Sequence, residues 1–430
     1  MSKKIVFIGI IGLMGIMGAR GQDTVRMRLE GCLRYAMEHN LQVRNAALDQ
    51  KAAEATLTGA RLHFLPSVNA SATQDLSRDN DTRRSGIYGI NGSVTLFSGL
   101  NTLNTYRQSK VGAEQSALRV RQMENSVGMQ IITAYLTILM NHEKEAYQQE
   151  VINTNRQQRE EGEIKYGVGR ILESDYKLLE ANYTASQNEL SNILLTIEDN
   201  RNTLAALMCL ESDKVIEVVT TDDTMRAADF NIAPRDSIMA EARRNMPDWE
   251  ISEMNVNIAR YNVGIAESAF LPRVNLSAGT SYNEGSIVSD NPVTNIKGGL
   301  NTSLTVGVNI PLLNHGASLT QLKRSKIALQ QAELENEQTQ IDLEYKVDEM
   351  YLDMRQAHNR FRSAEALCEA YKASYEVYLA KYNEGAITTV EMLQQQDRYL
   401  SALNDYLQSK YSFLLAEKQL DIYTGKEIEL

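Results

Sequence analysis

The sequence predicts a mainly α-helical protein with some β structure, in which one unit is written twice: helix, β-hairpin, long helix, shorter helix. Three observations predict this fold class. Short motifs recur in the two halves of the 430-residue chain, apolar residues follow heptads over a long stretch, and four segments alternate apolar and polar residues. Only 6 prolines occur, so long helices meet few breakers.

The duplication rests on two pairs of motifs. Phe-Leu-Pro at 64–66 recurs at 270–272, an offset of 270 − 64 = 206, and the Tyr-x-x-Gly segment 165–169 recurs at 381–385, an offset of 381 − 165 = 216. Two repeats of roughly 200 residues are too few and too long for a solenoid, so we expect a duplicated domain. The predicted divisions are a signal peptide at 1–21, a first repeat at 22–208, an inter-repeat segment at 209–233 and a second repeat at 234–430.

The N-terminus has the pattern of a secretory signal peptide. Lys3 and Lys4 precede an apolar run over 5–17, and the small residues Gly18, Ala19 and Gly21 follow, with Arg20 among them. The run is shorter than the ~20 residues that a membrane helix needs. Removal of three basic residues with the signal would change the net charge from −11 to −11 − 3 = −14. The mature protein is therefore expected to be exported.

Three helices are predicted in each repeat. They are a first helix at 26–62 and 235–268, a long helix at 101–163 and 317–381, and a closing helix at 171–208 and 388–424. The second long helix carries an apolar seam whose steps alternate four and three from Leu343 to Tyr382, as in a coiled coil. Cys368 lies on this seam and is expected to be a small buried residue. Helices of this length should project as rods.

Four segments alternate as tilted membrane strands do, with one apolar face and one small, uncharged polar face. They lie at 67–73, 88–96, 274–282 and 300–310. The same alternation fits a half-buried soluble sheet, but the export signal and the rod-like helices favour a pore in lipid. Four strands cannot close a barrel, and open edges in lipid are prohibitive, so the barrel must be shared between chains. Two chains would give eight strands and three would give twelve, and a channel favours three.

Several classes are excluded. The net charge of −11 argues against nucleic-acid binding. Catalytic motifs such as HExxH, GxxxxGK[ST], GxSxG and CxxC are missing, so no enzyme activity and no cofactor is expected. The five histidines are scattered and the three cysteines are far apart, which predicts neither a metal site nor a disulfide framework. These residues are His39, His63, His142, His315 and His358, with Cys32, Cys209 and Cys368.

The duplicated order of elements, the Phe-Leu-Pro entries to the first strands and the Tyr-x-x-Gly turns resemble the TolC-type outer-membrane efflux proteins over essentially the whole mature chain. The resemblance implies a homotrimer, with a twelve-stranded β-barrel in outer-membrane lipid and an α-helical coiled-coil barrel across the periplasm of a Gram-negative bacterium. It implies an exit duct for efflux or type I secretion. Its partners would be a periplasmic adaptor protein and an inner-membrane transporter of RND or ABC type.

The resemblance also assigns roles at the hairpin tips. Tyr166, Gly169, Tyr382 and Gly385 match the family's tip turns, which contact the adaptor and surround the closed aperture. Asp175 matches an aspartate that pairs with the tyrosine matched by Tyr382. Glycine at these turns also has a direct reason, because the backbone must reverse between two helices.

The second tip departs from the family pattern. Ile387 stands where the family can carry an arginine, and Gln394 stands where it can carry a second acid, so a tight salt-bridged gate is not expected. Three copies of Glu391 would still form an acidic ring that favours cations. Alternatively, Glu391 only faces solvent in a favourable first helical turn.

Two other functions remain open from the sequence: a stand-alone outer-membrane pore, or a periplasmic coiled-coil protein like the adaptor itself. An adaptor would need one helical hairpin flanked by β-rich domains, and a porin would need many strands and little helix.

Overall fold

The computed structural model describes residues 23–78, 82–211, 214–219, 232–284, 287–288 and 299–426. The predicted signal peptide lies outside these residues, as does the part of the inter-repeat segment over 220–231. The first half comprises β1 (Asp23–Met27), α1 (Leu29–His39), α2 (Leu41–Leu62), β2 (Ser67–Arg78), β3 (Thr82–Phe97), α3 (Asn101–Gly167) and α4 (Glu173–Met208). The second half comprises β4 (Lys214–Val218), α5 (Arg235–Asn245), α6 (Pro247–Glu267), β5 (Arg273–Asn283), β6 (Ile287–Val288), β7 (Gly299–Asn309), α7 (Ala317–Asn383) and α8 (Thr389–Thr424).

The predicted duplication is present in the order of elements, since each half contains a broken first helix, two long strands, a long helix and a shorter helix. The long helices α3 and α7 have 67 residues each, which corresponds to about 100 Å at 1.5 Å per residue. Each packs along its own shorter helix, α4 or α8, to form a helical hairpin. None of the described helices combines the length and the hydropathy needed to cross a membrane.

The four predicted strands form one antiparallel sheet in the order β2-β3-β5-β7, with the two-residue β6 paired to the outer end of β3. The strands extend beyond the predicted alternating segments, and β3 begins six residues before its predicted segment. Every residue of β7 is exposed on both faces in the single chain. Within the described residues, β2 and β7 are the edges of this sheet and have no further strand beside them.

The predicted seam of the second long helix is the surface that α7 buries. Leu343, Val347, Met350, Met354 and Phe361 are buried along its upper part. Tyr375 and Tyr382 are buried near its end, in an apolar cluster that also contains Leu179, Met392 and Leu393. Cys368 is only half-buried, so the prediction of a buried thiol was too strong.

The first helix of each half is not continuous, and this prediction was wrong. Asn40 breaks the first one: its backbone is extended, and its side chain accepts hydrogen bonds from the backbone N–H groups of Gln42 and Val43 at 2.8 and 3.3 Å. Met246 and Pro247 break the second one, with proline at the first position of α6. An Asn cap and a first-turn proline are both ordinary helix starts.

A small sheet at mid-height was also missed. β1 and β4 pair in parallel, from Asp23 with Lys214 to Met27 with Val218. Ile216 and Val218 are buried in the main apolar cluster with residues of α1, α3 and α4. The predicted first helix included 26–27, and no strand was predicted in the inter-repeat segment 209–233. The missed signal was the β-branched run Val215-Ile216-Glu217-Val218-Val219.

Candidate functional site at the hairpin tips

Both long helices end in the same backbone turn, in loops 168–172 and 384–388. Gly169 and Gly385 have φ values of +72° and +74°, the left-handed region that glycine adopts without strain. No atom lies within 4 Å of where a Cβ would be at either glycine, so the requirement for glycine is conformational and not steric.

The turns share one hydrogen-bond pattern. Arg170 N–H donates to Lys165 O at 2.8 Å and Gly169 N–H donates to Tyr166 O at 2.9 Å. At the second tip, the N–H groups of Ala386 and Gly385 donate to the carbonyls of Lys381 and Tyr382 at 2.9 and 3.0 Å. This is the Schellman arrangement, which satisfies the last carbonyls of a helix. Each tip is therefore a well-defined, hydrogen-bonded end of its hairpin.

The returning helices start with a carboxylate in their first turn. Glu391 accepts hydrogen bonds from the backbone N–H and the hydroxyl of Thr388, both at 2.9 Å, and its own N–H donates to the Thr388 hydroxyl at 3.3 Å. These reciprocal bonds form a capping box. The backbone hydrogen bond from Thr388 is the main reason that the pKa of Glu391 is lowered, and the Thr388 side chain adds to the shift.

Asp175 occupies the same place in α4 as Glu391 does in α8. Its carboxylate accepts a hydrogen bond from Leu172 N–H at 3.4 Å. Leu172 stands where the second repeat has Thr388. Because a leucine side chain has no acceptor atom, it cannot accept a hydrogen bond from the backbone in return. The first-turn carboxylates of both returning helices also suit the positive end of the helix dipole.

Tyr382 lies at the junction of the two hairpins. Its ring is buried, and the ammonium of Lys165 lies 4.5 Å from the ring centroid. The pKa of the Tyr382 phenol is raised, mainly because the ring is buried. The side chain of Thr389 lowers this pKa, whereas the charges of Glu161 and Asp175 raise it further. Within the described residues, the Tyr382 hydroxyl has no hydrogen-bond partner of normal geometry.

The structure thus brings Asp175 and Tyr382 into one electrostatic neighbourhood, but among the described contacts there is no hydrogen bond between them. Glu391 is exposed in the first turn of α8. Ile387 packs against the apolar cluster around Tyr382, and Gln394 is exposed. Tyr166 stacks on Tyr176, with ring centroids 5.7 Å apart.

Above the tips, polar side chains connect the two hairpins. Gln158 donates to the Tyr375 hydroxyl at 3.2 Å, and Gln396 donates to Asn155 at 2.6 Å. Asn182 in α4 donates to Gln396 at 3.3 Å. Gln158, Asn155 and Gln396 are all buried. The hairpins therefore meet through hydrogen bonds as well as through the apolar cluster.

A charged contact joins the hairpins higher up. The Lys410 ammonium of α8 lies 2.9 Å from both carboxylate oxygens of Glu143 in α3, and the Tyr411 hydroxyl donates to the same carboxylate at 3.1 Å. Lys410 is buried. Sequence reasoning missed this contact and the polar side chains below it. Their partners are more than 200 positions apart, and nothing in the local pattern marks them.

Among the described residues, no three His, Cys, Asp or Glu side chains are grouped in a way that could hold a metal ion. The candidate functional features of the described residues are instead spread along the chain: a sheet with two open edges, two long hairpins and their two tips.

Comparison with known proteins identifies what the chain resembles. The family model for outer membrane efflux proteins matches residues 33–209 and 238–426. The chain is 23% identical to the outer membrane protein TolC of Vibrio cholerae serotype O1 over 404 residues, covering 90% of this chain and 87% of TolC. It is 21% identical to the outer membrane efflux protein BepC of Brucella suis over 411 residues, covering 94% and 87%.

A crystal structure of CusC, described as forming a transmembrane channel, has a similar fold. The TM-score is 0.80 at 17% identity, with 93% of this chain and 92% of CusC covered.

Proposed function

We propose a function from one premise: this chain belongs to the outer membrane efflux protein family. Its relatives are outer-membrane channels of Gram-negative bacteria and not enzymes. We further propose that three copies of the chain form an exit duct. The duct would passively conduct substrate that a periplasmic adaptor and an inner-membrane transporter, of RND or ABC type, deliver to it.

The observation that carries this proposal is the sheet. Among the residues that the structure describes, the two long edges β2 and β7 have no further strand beside them, and β7 is exposed on both faces. A membrane sheet must close, since each unpaired backbone group costs several kcal/mol in lipid. Four long strands per chain make twelve in a trimer, wide enough for a water-filled interior. The apolar strand face would contact outer-membrane lipid, and the uncharged polar face would line the pore.

The hairpins supply the second part of the duct. At about 100 Å, the two 67-residue helices are long enough to extend from the membrane through much of the periplasm. The repeats at 22–208 and 234–430, joined by 209–233, would then be the two arms of each subunit. The signal peptide at 1–21 would direct export.

The tips are proposed to carry the gate and the adaptor contact. The two tip turns have well-defined shapes that a partner can recognise. The residues that form or flank them are Tyr166, Gly169, Tyr382 and Gly385. Asp175, Tyr382 and Glu391 would surround the aperture, with Asp175 acting on Tyr382 through its charge. Because Ile387 is apolar and Gln394 is neutral, the closed state would depend on packing and hydrogen bonds more than on ion pairs.

A photo-crosslinking residue at the tip tests the assembly. Val168 is 66% exposed at the first tip, and Leu195 is 62% exposed far up α4. We expect a photoreactive side chain at 168 to capture an adaptor in intact cells, and the same group at 195 to capture none.

Mass spectrometry of the captured protein identifies it, and copurification of an inner-membrane transporter would indicate its type. A trimer that fractionates with the outer membrane but yields no adaptor at position 168 would contradict the tripartite proposal. That outcome would favour a stand-alone pore.

A further inference from the structure

The apolar face of the four-stranded sheet changes to a polar one near its outer end, the end away from the helices. The outermost row that crosses all four strands is apolar or aromatic and consists of Ala72, Tyr88, Tyr282 and Leu300. One row farther out on the same face, Gln74 lies opposite Gly86, and Glu284 N–H donates to Gly86 O at 2.8 Å. The change within one row marks a boundary on this face.

The height of the apolar band fits a membrane. On β7 and the residue after it, apolar side chains recur on this face from Leu300 to Ile310, which are ten residues apart. Ten residues correspond to about 34 Å along a strand and to about 24 Å along the membrane normal at a tilt of 45°. The apolar band of outer-membrane barrels is about 25 Å tall and is flanked by aromatic residues. The row with Tyr88 and Tyr282 thus lies where an outer aromatic girdle is expected.

A concavity of about 450 Å³ lies on the sheet surface at this row. Ala70 and Ala72 contribute only short side chains, so the surface is low beside the rings of Tyr88 and Tyr282 and beside Leu300. Both rings and the leucine are exposed in the single chain. The concavity is therefore apolar at its base and has aromatic walls.

Two acceptor oxygens lie above Gly86, next to the concavity. A Cβ at this glycine would be 2.7 Å from Glu284 Oε2 and 3.0 Å from Gln74 Oε1, so both oxygens use space that a side chain would fill. The Tyr88 hydroxyl donates to Gln74 Oε1 at 3.0 Å. Glu284 Oε2, in contrast, is enclosed and has no hydrogen-bond partner among the described residues.

The Glu284 carboxylate therefore lacks a donor at the edge of an apolar concavity. Enclosing a carboxylate oxygen without a donor costs free energy. The residue is only half-buried, and the last torsion of a glutamate side chain is soft, so the carboxylate can turn toward a ligand. A ligand that fits has an apolar chain for the concavity and a hydrogen-bond donor for the carboxylate. A phosphate cannot be the contacting group, because its charge has the same sign.

We propose that this site binds a glycolipid of the outer leaflet. An acyl chain lies in the concavity, a sugar ring packs against Tyr88 or Tyr282, and a sugar hydroxyl donates to Glu284. The inference rests on the proposed function, because that function places the sheet in the outer membrane with this row toward the cell exterior.

The position of the site selects this occupant. A second copy of the chain would close the barrel along the strand edges, in the plane of the sheet, so the face itself stays open to lipid. An ammonium headgroup would also suit aromatic rings and a carboxylate. The site lies at the outer margin of the band, however, where the outer membrane of Gram-negative bacteria carries glycolipid.

Lipid retention by the purified protein tests the site. We expect native mass spectrometry of the protein, extracted from outer membranes in mild detergent and mixed with lipid A, to show bound glycolipid. Glu284→Ala removes the acceptor, and Tyr282→Leu removes a ring while the face stays apolar. Each variant should retain at least fivefold less lipid A than the parent.

Two matched controls accompany these variants. Leu304→Ala removes an exposed apolar side chain from the same face, two rows nearer the helices. Asp75→Ala removes an exposed carboxylate at nearly the same height as Glu284, but from the opposite face of the sheet. Both controls should retain lipid A as the parent does. Phosphatidylethanolamine, offered in the same way, tests an ammonium headgroup.

Each outcome decides the inference. No lipid A on the parent, or equal retention by the parent, Glu284→Ala and Tyr282→Leu, overturns the site. Stronger retention of phosphatidylethanolamine than of lipid A overturns the assignment to a glycolipid. The proposed function is judged separately, by adaptor capture from position 168. A captured adaptor with a failed lipid test leaves the duct intact, and lipid retention without a captured adaptor contradicts the tripartite assembly alone.

Discussion

Glu391 is exposed at the second tip, and its carboxylate accepts two hydrogen bonds from Thr388. The capping role alone explains why an acid stands at this position, and the acidic ring is a further proposal. The two roles use different properties of the side chain. A cap needs an acceptor oxygen, whereas cation preference needs a charge.

Glu391→Gln separates these roles because it keeps an acceptor and removes the charge. If three copies form an acidic ring, we expect the cation-to-anion permeability ratio in planar bilayers to fall severalfold in both Glu391→Gln and Glu391→Ala. If Glu391 is only a cap, the Gln variant keeps the parent's ratio. Gln394→Ala, one helical turn farther on, is the matched control and should leave the ratio unchanged.

The pH dependence of the same group follows from its lowered pKa. The folded-state pKa lies below the ordinary value of 4.5 because the carboxylate is hydrogen-bonded. Its stabilisation of the helix start is therefore present above the unfolded-state pKa and lost as pH falls through the folded-state pKa. Any ring charge disappears in the same acidic range, and the Gln variant should show no such loss of selectivity.

At the scale of the elements, the close approach of α3 and α4 near the first tip depends on Gly162. A Cβ there would lie 2.5 Å from Leu179 Cδ1, and Leu179 is almost fully buried in the cluster with Tyr375, Tyr382 and Met392. The leucine has no free space into which to rotate. The hairpin must therefore open slightly, or the cluster must shift, if any side chain is added.

We expect Gly162→Ala to destabilise the protein by about 1–3 kcal/mol through overpacking. Gly112, also inside α3, is the matched control, because no atom lies within 4 Å of its added Cβ. Gly112→Ala should stabilise by about 0.5–1 kcal/mol, since alanine favours a helix over glycine. Thermal unfolding of the purified variants, followed by circular dichroism, compares them, and equal shifts in the same direction would contradict the packing argument.

The elements show what a sequence can and cannot reveal. Long periodic patterns predicted α3 and α7 to within four residues at each end, because dozens of positions report on one helix. Alternation located the four long strands, but it predicted β2 and β3 five and six residues too short at one end. The breaks at Asn40 and Pro247 were missed because helical patterns continue on both sides of them. The β1–β4 pair was missed because five residues carry little periodicity and their partners lie about 190 positions apart, as for Asp23 and Lys214.

The tips also combine features that a local sequence pattern predicts with contacts that it does not. The glycines were predictable because only a left-handed turn explains them there. The cation above the Tyr382 ring and the Gln158–Tyr375 bond were not, because they join helices that only the three-dimensional fold brings together.

At the scale of the whole molecule, the chain contains two helical hairpins that are packed internally and meet each other partly through polar contacts. Gln396 and Asn155 lie near the tips, and the Glu143–Lys410 ion pair lies higher up. Separating hydrogen-bonded groups costs little net free energy when water can replace the lost partners, whereas separating apolar side chains exposes their surface to water. If the aperture opens, we expect the hairpins to separate near the tips, where the small apolar cluster around Tyr382 comes apart together with these hydrogen bonds, while the ion pair above continues to hold them.

A reversible crosslink tests this motion. We expect Asn155→Cys with Gln396→Cys, bridged by a short bis-methanethiosulfonate linker, to reduce substrate efflux at least tenfold, and reductant to restore it. Gln148→Cys with Ser186→Cys is the matched control. It bridges α3 and α4 within one hairpin, where Gln148 donates to Ser186 O at 2.8 Å, and should leave efflux unchanged. Full efflux with the 155–396 bridge in place would mean that the duct conducts without any separation of the hairpins, and the gate would then have to lie elsewhere.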